Sequence, residues 1–214
     1  MRSVGLVFFC ARARVGSLEF SPEGDVFLVH GDDGSLQLWE AFEGVPLAEP
    51  ALEREGQVDF STDGRWLLVQ RQGAGEGATR LGSGSIRVIG RDLSAARHRV
   101  LPYEGPVSVL HFSADGRYGL VGKHGLVVFN PATGEAIRRI DRKETGYSRE
   151  NGGATWLTTD AWFSPSDDKI VAICESDGGY VVKVFETATG KTLHTLPAQK
   201  MAQTFRVRFA GEST

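Results

Sequence analysis

Apolar and polar residues alternate in short runs along most of this chain, and turn-forming clusters separate the runs. Val107, Val109 and His111 alternate with Ser108, Leu110 and Phe112. A period of two belongs to a β-strand, whose successive side chains point to opposite faces. This run ends in Phe-Ser, and an Asp-Gly turn then reverses the chain. Second apolar runs follow such turns at 26–29, 66–69, 118–121 and 170–173, and third runs at 35–39, 85–89, 126–129 and 181–185. Two further turns, Ala132-Thr133-Gly134-Glu135 and Ala188-Thr189-Gly190-Lys191, lead to fourth strands at 136–140 and 192–196. The pattern predicts an all-β chain with almost no helix.

One phrase recurs. It reads Phe20-Ser21-Pro22-Glu23-Gly24-Asp25, Phe60-Ser61-Thr62-Asp63-Gly64-Arg65 and Phe112-Ser113-Ala114-Asp115-Gly116-Arg117. A looser copy runs from Phe163 to Lys169, and a fifth begins at Phe209. The Phe anchors at 20, 60, 112, 163 and 209 stand 40, 52, 51 and 46 residues apart. A period near 40–45 residues with four short antiparallel strands per repeat is the signature of β-propeller blades. The fold class expected is therefore all-β: a β-propeller with four four-stranded antiparallel blades, over about 15–51, 52–103, 104–140 and 155–196. Flanking strands at 4–9 and 204–209 would belong to a further, incomplete blade, so the chain reads as one propeller region forming an incomplete ring. A closed four-bladed ring is the alternative.

The stretch Gly31-Asp32-Asp33-Gly34-Ser35-Leu36-Gln37-Leu38-Trp39-Glu40 resembles the third strand of a WD repeat, with Trp-Glu in place of Trp-Asp. The Phe-Ser-Pro-Asp-Gly-type turns are similar to those of bacterial members of that family. The likeness covers about 15–209. No Gly-His pair precedes a first strand, and Ile89, Phe129 and Phe185 stand where Trp39 stands in the first repeat. The family's buried His-Ser-Asp-Trp network is thus largely missing. The resemblance implies a non-catalytic scaffold for protein–protein interaction, the sensor or binding part of a larger multidomain protein. The Ala-Thr-Gly hairpins also resemble quinoprotein blades, although Ile137 and Leu193 stand where those usually carry Trp. A quinoprotein-like or hydrolytic propeller enzyme is therefore one alternative, and a ligand-binding propeller outside the cytoplasm another.

Composition sharpens this picture at a few points. Glycine makes up 27 of 214 residues, about one in eight against roughly 7% on average, as many tight turns require. A net charge of −3 argues against a nucleic-acid partner and gives no reason to expect an anionic membrane. Cys10 and Cys174 form neither a metal motif nor a disulfide framework, which fits a reducing, cytoplasmic setting. The apolar run 4–10 is short for a signal-peptide core and is read as a strand.

Apparent chemistry is explained by turns. Thr189-Gly190-Lys191-Thr192 mimics the tail of a P-loop, but Phe185 occupies the place of its first Gly. The Gly-rich segments at 73–77 and 82–84 do not match a dinucleotide fingerprint. His30, His98, His111, His124 and His194 lack metal-ligand spacing, and no cofactor is expected. Two insertions break the repeat, at 70–84 and 141–154, and both would decorate the same face of a propeller. Arg71, Arg80, Arg142, Lys143, Tyr147, Arg149 and Trp156 are the expected partner-binding residues, because Arg and aromatic side chains on loops anchor interfaces.

Overall fold

The computed structural model describes residues 14–33, 35–47, 55–71, 86–90, 99–101, 103, 107–145, 157–176 and 179–196. The described residues are all-β apart from one helical turn, and they build four antiparallel sheets. The first holds β1 (Val15–Phe20), β2 (Val26–Gly31) and β3 (Leu36–Glu40). The second holds β4 (Glu55–Phe60), β5 (Trp66–Arg71), β6 (Ile86–Gly90) and β7 (Arg99–Val100). The third holds β8 (Val109–Phe112), β9 (Gly119–Gly122), β10 (Leu126–Phe129) and β11 (Ala136–Ile140). The fourth holds β12 (Leu157–Phe163), β13 (Lys169–Ser176), β14 (Gly179–Glu186) and β15 (Thr192–Thr195). In every sheet spatial order follows chain order, so each is an antiparallel meander.

The first sheet departs from the expected four strands. Where a fourth would run, Trp39 and Pro46 form an isolated bridge and the Leu47 N–H donates to the Leu38 carbonyl at 2.9 Å. Pro46 has no N–H to extend the ladder. The insertion after β11 also opens with order that alternation does not predict, the helical turn α1 (Arg142–Thr145).

The recurring phrase is a hairpin built around a buried serine. The backbone N–H groups of Val26, Trp66, Tyr118 and Lys169 donate to the hydroxyls of Ser21, Ser61, Ser113 and Ser164 at 3.1, 2.9, 3.0 and 3.1 Å. Each hydroxyl donates in turn to a carboxylate, of Asp25, Asp63, Asp115 or Asp168, at 2.7 to 2.9 Å. All four serines are buried, and each is satisfied as both donor and acceptor. The fourth turn residue has positive φ, at Gly24, Gly64, Gly116 and, in the last copy, Asp167 at 57°.

The hairpins set the register, and the register aligns one apolar row per sheet. The rows are Phe20–Phe27–Trp39, Phe60–Leu67–Ile89, Phe112–Gly119–Phe129 and Phe163–Ile170–Phe185. The position of Trp39 is thus a buried core position in all four sheets.

The chain divides into two compact units, Met1–Glu104 and Gly105–Thr214. In the first, Leu28 and Leu36 of the first sheet pack with Leu67, Val69 and Ile89 of the second. In the other, Val109, Leu120, Leu126 and Val128 of the third sheet pack with Ala161, Phe163, Ile170 and Phe185 of the fourth. Phe112 and Phe163 are buried and Phe60 is half-buried. Phe20 is 60% exposed. No helix among the described residues is long and apolar enough to cross a membrane.

Candidate functional site

The first strands of the third and fourth sheets carry a polar pair. β12 contains a bulge, since Thr158 pairs with Cys174 and Asp160 with Ile173, leaving Thr159 extra. A bulge bends its strand and re-aims the side chains beside it. Asp160 follows the bulge directly, and its Oδ1 lies 3.1 Å from His111 Nε2 on β8. The same carboxylate oxygen accepts the Ala161 N–H at 2.8 Å, which holds it in place. The Trp162 ring stacks near the imidazole, with centroids 6.2 Å apart. Both members of the pair are half-buried. A carboxylate beside an imidazole orients the ring.

Nearby hydroxyls serve the sheets. Ser108 Oγ donates to the Thr158 carbonyl, and the Thr158 N–H donates to the Lys123 carbonyl at 2.7 Å. These bonds tie the start of β12 to the residue before β8 and to the loop after β9. Among the described residues no group of three or more His, Cys, Asp or Glu could hold a metal ion. Cys174 is a free thiol within the core, and burial pushes its pKa up, which keeps it protonated and unreactive.

A second constellation joins two hairpins. Asp167 reaches the preceding repeat, where its Oδ1 accepts the Ala114 N–H at 2.9 Å and its Oδ2 the Asp115 N–H at 3.2 Å. Burial pushes the Asp167 pKa up, and the neighbouring Asp115 carboxylate adds to that shift. Aspartate tolerates the left-handed conformation better than most residues, so it can replace glycine here and gain the contact to the neighbouring sheet.

α1 lies against the fourth sheet and the loop after β9. Thr145 Oγ1 donates to the His124 carbonyl at 2.7 Å, and Thr192 Oγ1 donates to Glu144 Oε2 at 3.0 Å. Lys183 Nζ donates to the Glu144 carbonyl. The beginning of the second insertion is therefore anchored.

Of the expected partner-binding residues, Arg71 ends β5 and Arg142 and Lys143 open α1, with side chains outside the described residues. Arg80, Tyr147, Arg149 and Trp156 lie outside the described residues, as do the Gly-rich segments and both flanking strands. Thr189 and Gly190 form the turn between β14 and β15, with Thr189 Oγ1 donating to Glu186 Oε2 at 2.5 Å. Sequence reasoning missed the pairing of His111 with Asp160. The two stand 49 residues apart, and the bulge that aims Asp160 leaves no mark in the alternation.

No protein-family model matches the chain, and no curated protein sequence matches it. Among solved structures, 1077 chains match. Hydrazine synthase of Kuenenia stuttgartiensis is similar over 89% of this chain, with a TM-score of 0.57 and 16% identity. The match covers 52% of that protein's chain, so the present chain spans about half its length. At this identity the likeness is one of fold alone.

Proposed function

We propose that this chain is an arc of a WD-repeat-like β-propeller that serves as a non-catalytic scaffold for a protein partner in the cytoplasm. The observation that carries the reading is the face-to-face packing of consecutive sheets, with one apolar cluster shared by each pair within a unit. Propeller blades are stabilised in this way, each by its neighbours. The likeness to a propeller-containing protein supports the same architecture. The hairpin carboxylates are engaged in their own turns or, for Asp167, in the preceding one, so binding falls to the insertions, where a rigid scaffold presents loops. Arg71, Arg80, Arg142, Lys143, Tyr147, Arg149 and Trp156 are the residues we assign to the partner.

The test is affinity capture from cells of the source organism, with cross-links mapped by mass spectrometry. A double substitution, Arg149→Ala with Trp156→Ala, is expected to lower partner recovery several-fold and leave the melting temperature unchanged. Equal recovery by the variant removes these loops from the interface. A catalytic reading rests on the half-buried His111–Asp160 pair. Substrate turnover that His111→Gln abolishes would favour it over the scaffold.

A further inference from the structure

The third and fourth sheets enclose a groove of about 370 Å³ beside their outer strands. Its size falls in the range of roughly 300–1,000 Å³ typical of ligand clefts. Val128 of β10 lines it, and Ile137 of β11 and Leu193 of β15 stand at its apolar border, 45% and 39% exposed. Aliphatic side chains left open to water beside a cleft invite apolar cover.

Thr187 also lines the groove and is 7% exposed, and its buried Oγ1 has no hydrogen-bond partner. Its backbone N–H is satisfied by the Asp168 carbonyl at 2.9 Å, so the unmet demand is confined to the hydroxyl. A hydroxyl removed from water without a partner is costly, and a polar group seated in the groove would remove that cost.

The charges lining the groove are two cations and three carboxylates. Arg117 is paired with Asp115, and Lys169 with Asp168, each within its own hairpin. Asp167 holds the backbone of the neighbouring turn. Glu186 accepts the Thr189 hydroxyl, and a carboxylate has lone pairs for further donors. The excess charge facing an occupant is negative, and Glu186 is the carboxylate placed to meet a cation.

We propose that this groove binds a short extended segment of a partner protein that carries an aliphatic side chain next to a lysine or arginine. The aliphatic group covers Ile137 and Leu193, the cation meets Glu186, and a donor of the segment satisfies Thr187 Oγ1. The site rests on the scaffold reading above and adds to it a second contact surface, with its own sequence preference.

The test selects binders of the full chain from a random seven-residue peptide library displayed on phage. Selected peptides are then made with a fluorescein label, and their affinity is measured by anisotropy. A consensus pairing Leu, Ile or Val with an adjacent Lys or Arg is expected. Affinity should fall about tenfold or more for Glu186→Lys and for the double variant Ile137→Ser with Leu193→Ser. Thr187→Val keeps the volume and removes the hydroxyl, and should cost about fivefold with no loss of melting temperature. An acidic consensus, no enrichment, or peptides that bind every variant equally would overturn the proposal. Peptides that ignore these variants but are lost with Arg149→Ala and Trp156→Ala overturn the groove and leave the scaffold reading intact.

Discussion

Asp115 and Asp167 face each other across two hairpins, and their protons respond to pH in opposite senses. Burial alone would raise the Asp115 pKa, but hydrogen bonds from the Arg117 backbone N–H, the Arg117 guanidinium and the Ser113 hydroxyl lower it to about 2. Asp168 is held well below the usual carboxylate range by the Lys169 ammonium and the hydroxyls of Ser166 and Ser164. A depressed pKa contributes stability above the ordinary value of 3.8 that is lost as pH falls, for Asp115 towards about 2. Asp167 has a raised pKa, so its contribution is full below 3.8 and is lost as pH rises through the raised value. The melting temperature should therefore drop on acidification from pH 5 to pH 2, because the unfolded chain takes up protons on these two carboxylates while the folded chain resists it. Asp115→Asn should flatten that drop, and Asp167→Asn should steepen it. Thermal melts followed by circular dichroism across this window provide the check, and parallel curves for the wild type and Asp115→Asn would contradict the assignment.

The element that repeats is the cross-strand row that each hairpin brings into register. Its first member was legible, because Phe20, Phe60, Phe112 and Phe163 each precede a turn of the recurring phrase. Its third member was partly legible in Trp39, and the alignment of Ile89, Phe129 and Phe185 followed from strand order. Its middle member varies from Phe27 to Leu67, Gly119 and Ile170, and Gly119 has a physical cause that alternation hides. A Cβ added there would lie within 3 Å of three atoms of the Phe129 ring, which is itself fully buried. Gly119→Ala should then destabilise the fold by about 1–3 kcal/mol or more, since inserted volume forces side chains off their rotamers. Urea denaturation measures this, and Phe129→Leu added to Gly119→Ala should recover part of the loss. An unchanged midpoint for the single variant would mean that the ring can move aside. The candidate site was far less legible than the strands. His111 was visible as a strand histidine, but its partner depends on a bulge in another sheet. α1 stayed hidden because four residues are too few to display a helical period.

At the scale of the molecule, the rows of the second and fourth sheets are covered by the sheet before them in the same unit. The row of the first sheet has no such neighbour among the described residues. Phe27 and Trp39 are buried there, with their rings 6.2 Å apart, but Leu18 is 49% exposed and Phe20 more so. Val15 and Phe42 add to the exposed apolar surface. Together these side chains leave on the order of 300 Å² of apolar area open, which at about 25 cal/mol per Å² corresponds to roughly 7 kcal/mol of unused burial. Translational and rotational entropy opposes association by a comparable amount, so covering one such patch gives weak binding, whereas two patches meeting across a symmetric contact double the gain. Under the open-arc reading, the purified chain should self-associate in a concentration-dependent way. Light scattering coupled to gel filtration is expected to show a mass above that of the monomer, rising with loading concentration. Leu18→Ser with Phe20→Ser should restore the monomer at little cost in melting temperature, because both residues are already largely exposed. A wild-type chain that remains monomeric at high concentration would mean that this row is covered within the molecule, and with that the open arc would give way to a closed ring.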